Sequence, residues 1–198
     1  MRIGIIGTAF RKEVAHYLSV KLYTDAFDYL VGLIDQYEIA PEQITMVSGG
    51  AAGIDHLAVS MFKTGRAGKL ELHFPAPLNS KGFDPSTRDG DTANYYHERF
   101  SAVVGTNTLE SLYRETQDLR CSFKTYNGFK ARNIEVGKVD HLIAMTFGTH
   151  SGTCVQGSIQ WTHAKQAGLA DGGTAHTWQC SPAFTKTHIN LHEFLERK

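Results

Sequence analysis

Two short glycine-bearing segments, one basic stretch and a few scattered carboxylates are the residues of this chain whose types and spacing could do chemistry. The first segment is Ser48-Gly49-Gly50-Ala51-Ala52-Gly53-Ile54-Asp55. It follows an apolar run over 44–47 and precedes a helical pattern over 54–62. A glycine-rich turn from strand into helix presents backbone N–H groups at the positive end of the helix, which suits the phosphate of a nucleotide. With no Cβ in the way an anion can approach closely, and positive φ costs nothing. The same glycines would equally serve a tight turn that only packs strand against helix.

The second segment, Gly148-Thr149-His150-Ser151-Gly152-Thr153, follows another apolar run. Ser151 and Thr153 can donate hydroxyl hydrogen bonds beside the backbone, or Thr153 can simply cap a following helix. Between the two turns lies Lys130-Ala131-Arg132-Asn133-Ile134-Glu135. Arg132 offers a fixed fork of donors matching phosphate or carboxylate, and Asn133 could read a base or sugar edge. The plainer alternative is a solvated helix with Arg132 paired to Glu135 at i,i+3. Asp55 can contact a ligand or brace its loop, bracing being the simpler job. Glu135 and Glu98 are the further candidates for an acid or base, Glu98 standing beside His97 and Arg99. Tyr95, Tyr96 and Phe100 could stack on a base or fill core. His188 and His192 have a zinc-compatible i,i+4 spacing on an expected helix, but no third ligand is near, so no metal is expected.

These residues need elements to position them. Apolar runs predict strands over 2–6, 44–47, 70–74 and 142–147, with a last strand near 175–179. Helical spacing predicts a helix capped by Thr24 and running to residue 37, with Phe27, Leu30, Val31 and Ile34 on one face. Further helices are expected after Gly53, over 127–137, from Thr153 through 167, and over 187–198. Asp171-Gly172-Gly173 reads as a break before the last strand. Residues 78–124 read as an insertion, a polar loop followed by helices near 93–104 and 108–119, whose role the pattern does not give. Strands alternating with helices imply an α/β fold: a Rossmann-like, mainly parallel sheet with helices on both faces and a helical and loop insertion. In such sheets ligands gather at the carboxyl ends of strands, where both glycine turns are expected.

The chain has 198 residues, 41% hydrophobic and 20% charged, which suits one domain over 1–198. Twenty basic and twenty acidic residues cancel, so no global field draws nucleic acid or a membrane surface. No apolar stretch could span a bilayer. Cys121, Cys154 and Cys180 are odd in number and lack metal-type spacing, as expected of reduced thiols in a cytoplasmic protein.

Taken in order, the strand and Ser48-Gly49-Gly50-Ala51-Ala52-Gly53-Ile54-Asp55-His56-Leu57-Ala58, then Arg132-Asn133, then Val139 to Met145, then Ser151-Gly152-Thr153, resemble the SLOG superfamily of Rossmann-like nucleotide-binding proteins. That superfamily includes the LOG phosphoribohydrolases and the DNA-processing protein DprA. The small YspA-type branch, with Gly-Ser/Thr after the first strand as in Gly7-Thr8, is the nearest in look. The resemblance covers about 1–75 and 126–180.

It implies a nucleotide or NAD-derived ligand, with no certain cofactor, and self-association into homo-oligomers. The ligand-binding positions it implies are Gly7, Thr8, Ser48, Gly49, Gly50, Ala51, Gly53, Asp55, Arg132, Asn133, Gly148, Ser151, Gly152 and Thr153. Arg132 matches the LOG catalytic arginine. Gln156 stands where the catalytic glutamate of Pro-Gly-Gly-x-Gly-Thr-x-x-Glu would be, and an amide cannot ionise. The expectation is therefore binding of a nucleotide-like small molecule at paired phosphate turns. The alternatives are an N-glycosidic hydrolase using another carboxylate, and a DprA-like single-stranded DNA binder, against which the zero net charge argues.

Overall fold

The computed structural model describes residues 1–170 and 172–196. The chain runs through β1 (Arg2–Gly7), α1 (Val20–Asp35), β2 (Thr45–Ser48), α2 (Leu57–Lys63) and β3 (Lys69–Phe74). A small hairpin, β4 (Leu78–Asn79) and β5 (Gly82–Phe83), precedes α3 (Arg88–Val104), α4 (Thr108–Glu115) and β6 (Cys121–Thr125). Next come α5 (Phe129–Val136), β7 (His141–Thr146), β8 (Gly152–Val155) and α6 (Ile159–Thr162). The last elements are α7 (Gly173–Cys180), β9 (Thr185–Asn190) and α8 (His192–Leu195).

Seven strands form one sheet in the order β6-β3-β2-β1-β7-β9-β8. All neighbours pair in parallel except β8, which runs antiparallel to β9. Helices cover both faces, giving the Rossmann-like α/β architecture that alternating strands and helices imply. Ile3 and Ile5 of β1 join one core layer with Leu22, Leu30, Leu57 and Met61 from α1 and α2. Ile6 joins the opposite layer with Val136 of α5 and Trp178 of α7.

The structure corrects several boundaries. Ser19, not Thr24, caps α1: its hydroxyl accepts from Leu22 N at 3.2 Å, and Leu22, Ala26, Leu30 and Ile34 turn inward at four-residue spacing. Within 78–124, the hairpin, α3 and α4 form an insertion, but 121–125 belong to the main sheet as β6, paired with β3. With one aromatic among Ser, Lys and Thr, β6 carries no apolar run that would announce a strand.

The C-terminal third differs most. Thr153 starts no helix, because 152–155 form the edge strand β8, and α6 is short. Stretch 175–179 lies in α7, where Ala175 and Trp178, three apart, are both buried. The last strand is β9, and its polar side chains are buried yet satisfied. Thr187 bonds the Thr153 hydroxyl, and His188 bonds Thr146 and the His150 carbonyl. Lys186, fully buried, donates to the Trp161 and Trp178 carbonyls at 2.9 and 2.6 Å, its Nζ 3.9 Å from the Trp161 ring centroid. Of the helix expected over 187–198, α8 is present, so His188 and His192 do not share a helix. Asp171, Arg197 and Lys198 lie outside the described residues. The three cysteines are free, and no helix among the described residues is long and apolar enough to cross a membrane.

Candidate functional site

An open parallel sheet offers a ligand crevice outside the carboxyl ends of neighbouring strands whose connections leave in opposite directions. That point here lies between β1 and β7, since β2 and β3 extend to one side and β9 to the other. A cleft of about 500 Å3 opens there. Gly7, Thr8 and Ala9 after β1, Thr146 and Phe147 at the end of β7, and Ala51 after β2 line it. Helix α5 contributes Phe129, Arg132 and Asn133, and the opening of α7 contributes Gly172, Gly173 and Thr174. Arg11, Lys12 and Glu13, all exposed, stand on the segment that follows β1.

Asp55 braces this arrangement. Its carboxylate accepts from Gly7 N at 2.9 Å and from Arg132 Nη1 at 3.3 Å, both side chains being 7% exposed. Burial pushes the Asp55 carboxyl pKa up, with the guanidinium of Arg132 pulling against it. Burial likewise pushes Arg132 down, and Asp55 opposes that shift. Arg132 has donors to spare: its buried Nε has no hydrogen-bond partner among the described residues. A buried donor left unpaired costs roughly 1–3 kcal/mol, a cost that an acceptor brought by a ligand would remove.

The first glycine turn has structural work to do as well. A Cβ on Gly49 would stand 1.6 Å from Arg132 Nη1, so the guanidinium lies against backbone where any other residue would carry a side chain. Gly50 has φ 62°, and its carbonyl accepts from His97 Nε2 at 2.9 Å, tying α3 of the insertion to the turn. Ser48 is spent locally, its hydroxyl donating to the Asp55 carbonyl and accepting from Gly50 N. Gly53 sits under Thr8, whose carbonyl accepts from Ile54 N. The turn therefore seats Arg132 and forms a wall, with Ala51 its part of the cleft lining.

The expected second turn is not brought to the cleft. Gly148 packs on the Gly168 backbone, and Ser151 donates to Glu193 while accepting from Asn190 N. Gly152 and Thr153 pair with His188 and Thr187 along the β8–β9 ladder. Gly172-Gly173, at the start of α7, line the cleft instead. Gly172 has φ 129° and no side chain caps this helix, so the first-turn N–H groups lack the intrahelical partners that later ones have. Thr174 Oγ1 donates to the Gly7 carbonyl at 2.9 Å and Asn133 Nδ2 to the Gly173 carbonyl at 3.3 Å, fixing this end against β1 and α5. Sequence reasoning missed it, although a glycine pair opening a helical pattern was the available signal.

Of the remaining candidates, Glu135 pairs with Lys138 at 2.6 Å and lies outside the cleft lining. Glu98 lines a separate, more open depression of about 620 Å3 on the insertion. Phe100 is core, edge-on to Tyr23 and His56, and Tyr95 is exposed. Tyr96 stands beneath Arg11 at the edge of the cleft. No cluster of metal-ligating side chains occurs among the described residues.

Comparison with models of protein families gives no match, and no solved structure matches the chain. The chain is 29% identical over 201 residues to an uncharacterized protein of Acanthamoeba polyphaga mimivirus, with 98% of each covered.

Proposed function

We propose that the cleft between β1 and β7 binds a nucleotide or nucleotide-derived small molecule, NAD-related compounds included, with phosphate held between Arg132 and the opening turn of α7. The observation that carries this reading is the buried, unpartnered Nε of Arg132 at a sheet switch point. A guanidinium fork and uncapped helix N–H groups are both donors suited to phosphate, and Arg11 and Lys12 add positive charge. The resemblance to the SLOG superfamily points to the same ligand class. Binding is supported over N-glycosidic hydrolysis because Asp55 is already engaged by Gly7 and Arg132 and the other carboxylate of the lining, Glu13, is exposed, while Glu98 and Glu135 lie outside it. Zero net charge supports a small ligand over single-stranded DNA.

Titration calorimetry with AMP, ADP-ribose and NAD tests this reading. At least one is expected to bind with micromolar affinity. Arg132→Lys keeps a charge opposite Asp55 but loses the fork, and should weaken that binding by about tenfold or more while the melting temperature moves little. Absence of binding by all three compounds overturns the proposal.

A further inference from the structure

A narrow crevice lies beside the cleft, against the first glycine turn, and shares Ala9, Arg11, Ala51, Phe129 and Arg132 with it. Its other walls are apolar or aromatic, among them Pro75, Phe83, Ala93 and Tyr96. Only about 10 Å3 is free inside, room for no more than about one water. The stopper is a planar cation: Arg11 Cζ stands 4.5 Å from the Tyr96 ring centroid and 6.0 Å from that of Phe129.

Arg11 is held only loosely at its tip. The residue is exposed, and its side chain makes no hydrogen bond to a described residue; the Tyr96 and Phe129 rings and the nearby charge of Asp55 are what hold it. Its backbone is the opposite. Phe10 and Lys12 on either side have φ 53° and 47°, a conformation that non-glycine residues keep only where the surroundings enforce it. A fixed root and a free tip make Arg11 a side chain that can swing between the crevice and the cleft.

We propose that the crevice is a subsite for the planar aromatic ring of the ligand, closed in this structure by Arg11, whose guanidinium occupies the stacking position on Tyr96. The inference rests on the cleft reading above and adds a ring subsite and a latch to it. A phosphate arriving at Arg132 draws Arg11 off the ring, since charge-assisted hydrogen bonds are stronger than an exposed cation–π contact. The vacated ring face, bordered by apolar walls, then takes a base by stacking, which is tolerant of base identity because every base has a π-face. Base and phosphate thereby depend on one another: the anion frees the place that the ring needs. Tyr96 lies in the insertion, so the inserted helices supply the ring's specificity while the sheet supplies the phosphate site.

The test compares AMP with ribose 5-phosphate, which has no base, by calorimetry on the unmodified protein and on Tyr96→Ala. Tyr96→Ala should weaken AMP by about tenfold and leave ribose 5-phosphate within twofold, with an unchanged circular dichroism spectrum. A second readout needs no variant: the fluorescence of 2-aminopurine riboside 5′-monophosphate should be quenched on binding through ring stacking. Equal weakening of both probes, undiminished AMP binding, or binding of the fluorescent nucleotide without quenching overturns the ring subsite and leaves the cleft reading standing. Failure of the unmodified protein to bind AMP while ADP-ribose or NAD binds overturns the ring subsite alone, and failure of AMP, ADP-ribose and NAD alike overturns both readings.

Discussion

Asp55 and Arg132 form a buried pair whose members depend on each other, and that dependence is measurable. Arg132→Met would strand the Asp55 carboxylate in the interior and should cost about 3–5 kcal/mol of stability. Asp55→Asn combined with Arg132→Met removes both charges and should recover much of that loss. Urea unfolding of the singles and the double closes the cycle, and simple additivity would show that the pair is not coupled. Both residues were legible as candidates because each carries chemistry beside a glycine motif or a basic stretch. What stayed hidden was their relation. Nothing in the spacing of Asp55 and Arg132 says that Gly49 must lack a side chain so that the guanidinium can lie against it. Nor does the sequence reveal that Nε is left without a partner, which depends on three separate elements meeting.

At the level of elements, the strands that announced themselves were those with aliphatic runs: β1, β2, β3 and β7. β9 did not, because a strand buried on both faces is expected to be apolar, whereas Thr187, His188 and Asn190 are buried here in a network of specific hydrogen bonds. Taking 175–179 for the last strand instead left Gly172-Gly173 as a break rather than the opening of α7. Helix α3 yields a pH prediction. His97 joins it to the Gly50 carbonyl, and His56 lies edge-on to His97. Burial pushes His97 down to about 4 and His56 down to about 3, from an ordinary 6.5. Both are therefore neutral in the folded chain at pH values where the unfolded chain takes up protons. Stability is full above pH 6.5 and falls as pH drops from 6.5 toward 4, by up to about 1.4 kcal/mol per pH unit for each histidine. Urea midpoints at pH 7, 5.5 and 4.5 check this, with His97→Gln expected to flatten the slope; an equal slope in that variant would remove His97 from the account.

Across the whole molecule the cleft and crevice draw on both halves of the chain and on the insertion, yet neither is lined by a tryptophan. The chain has two, and both lie against Lys186 on the face of β9 that α6 and α7 cover. Their light emission is therefore a private gauge of one amine. Burial lowers that amine to about 8 from an ordinary 10.5, so the indole spectrum should titrate with a midpoint about pH 8, and Lys186→Met should abolish the transition. Between pH 8 and 10.5 the unfolded chain holds a proton that the folded one has shed, so alkali across that window should strengthen the fold. Ligand arriving at Arg132 should leave the same spectrum dark to its presence, which makes intrinsic fluorescence a clean monitor of folding and an insensitive one of binding.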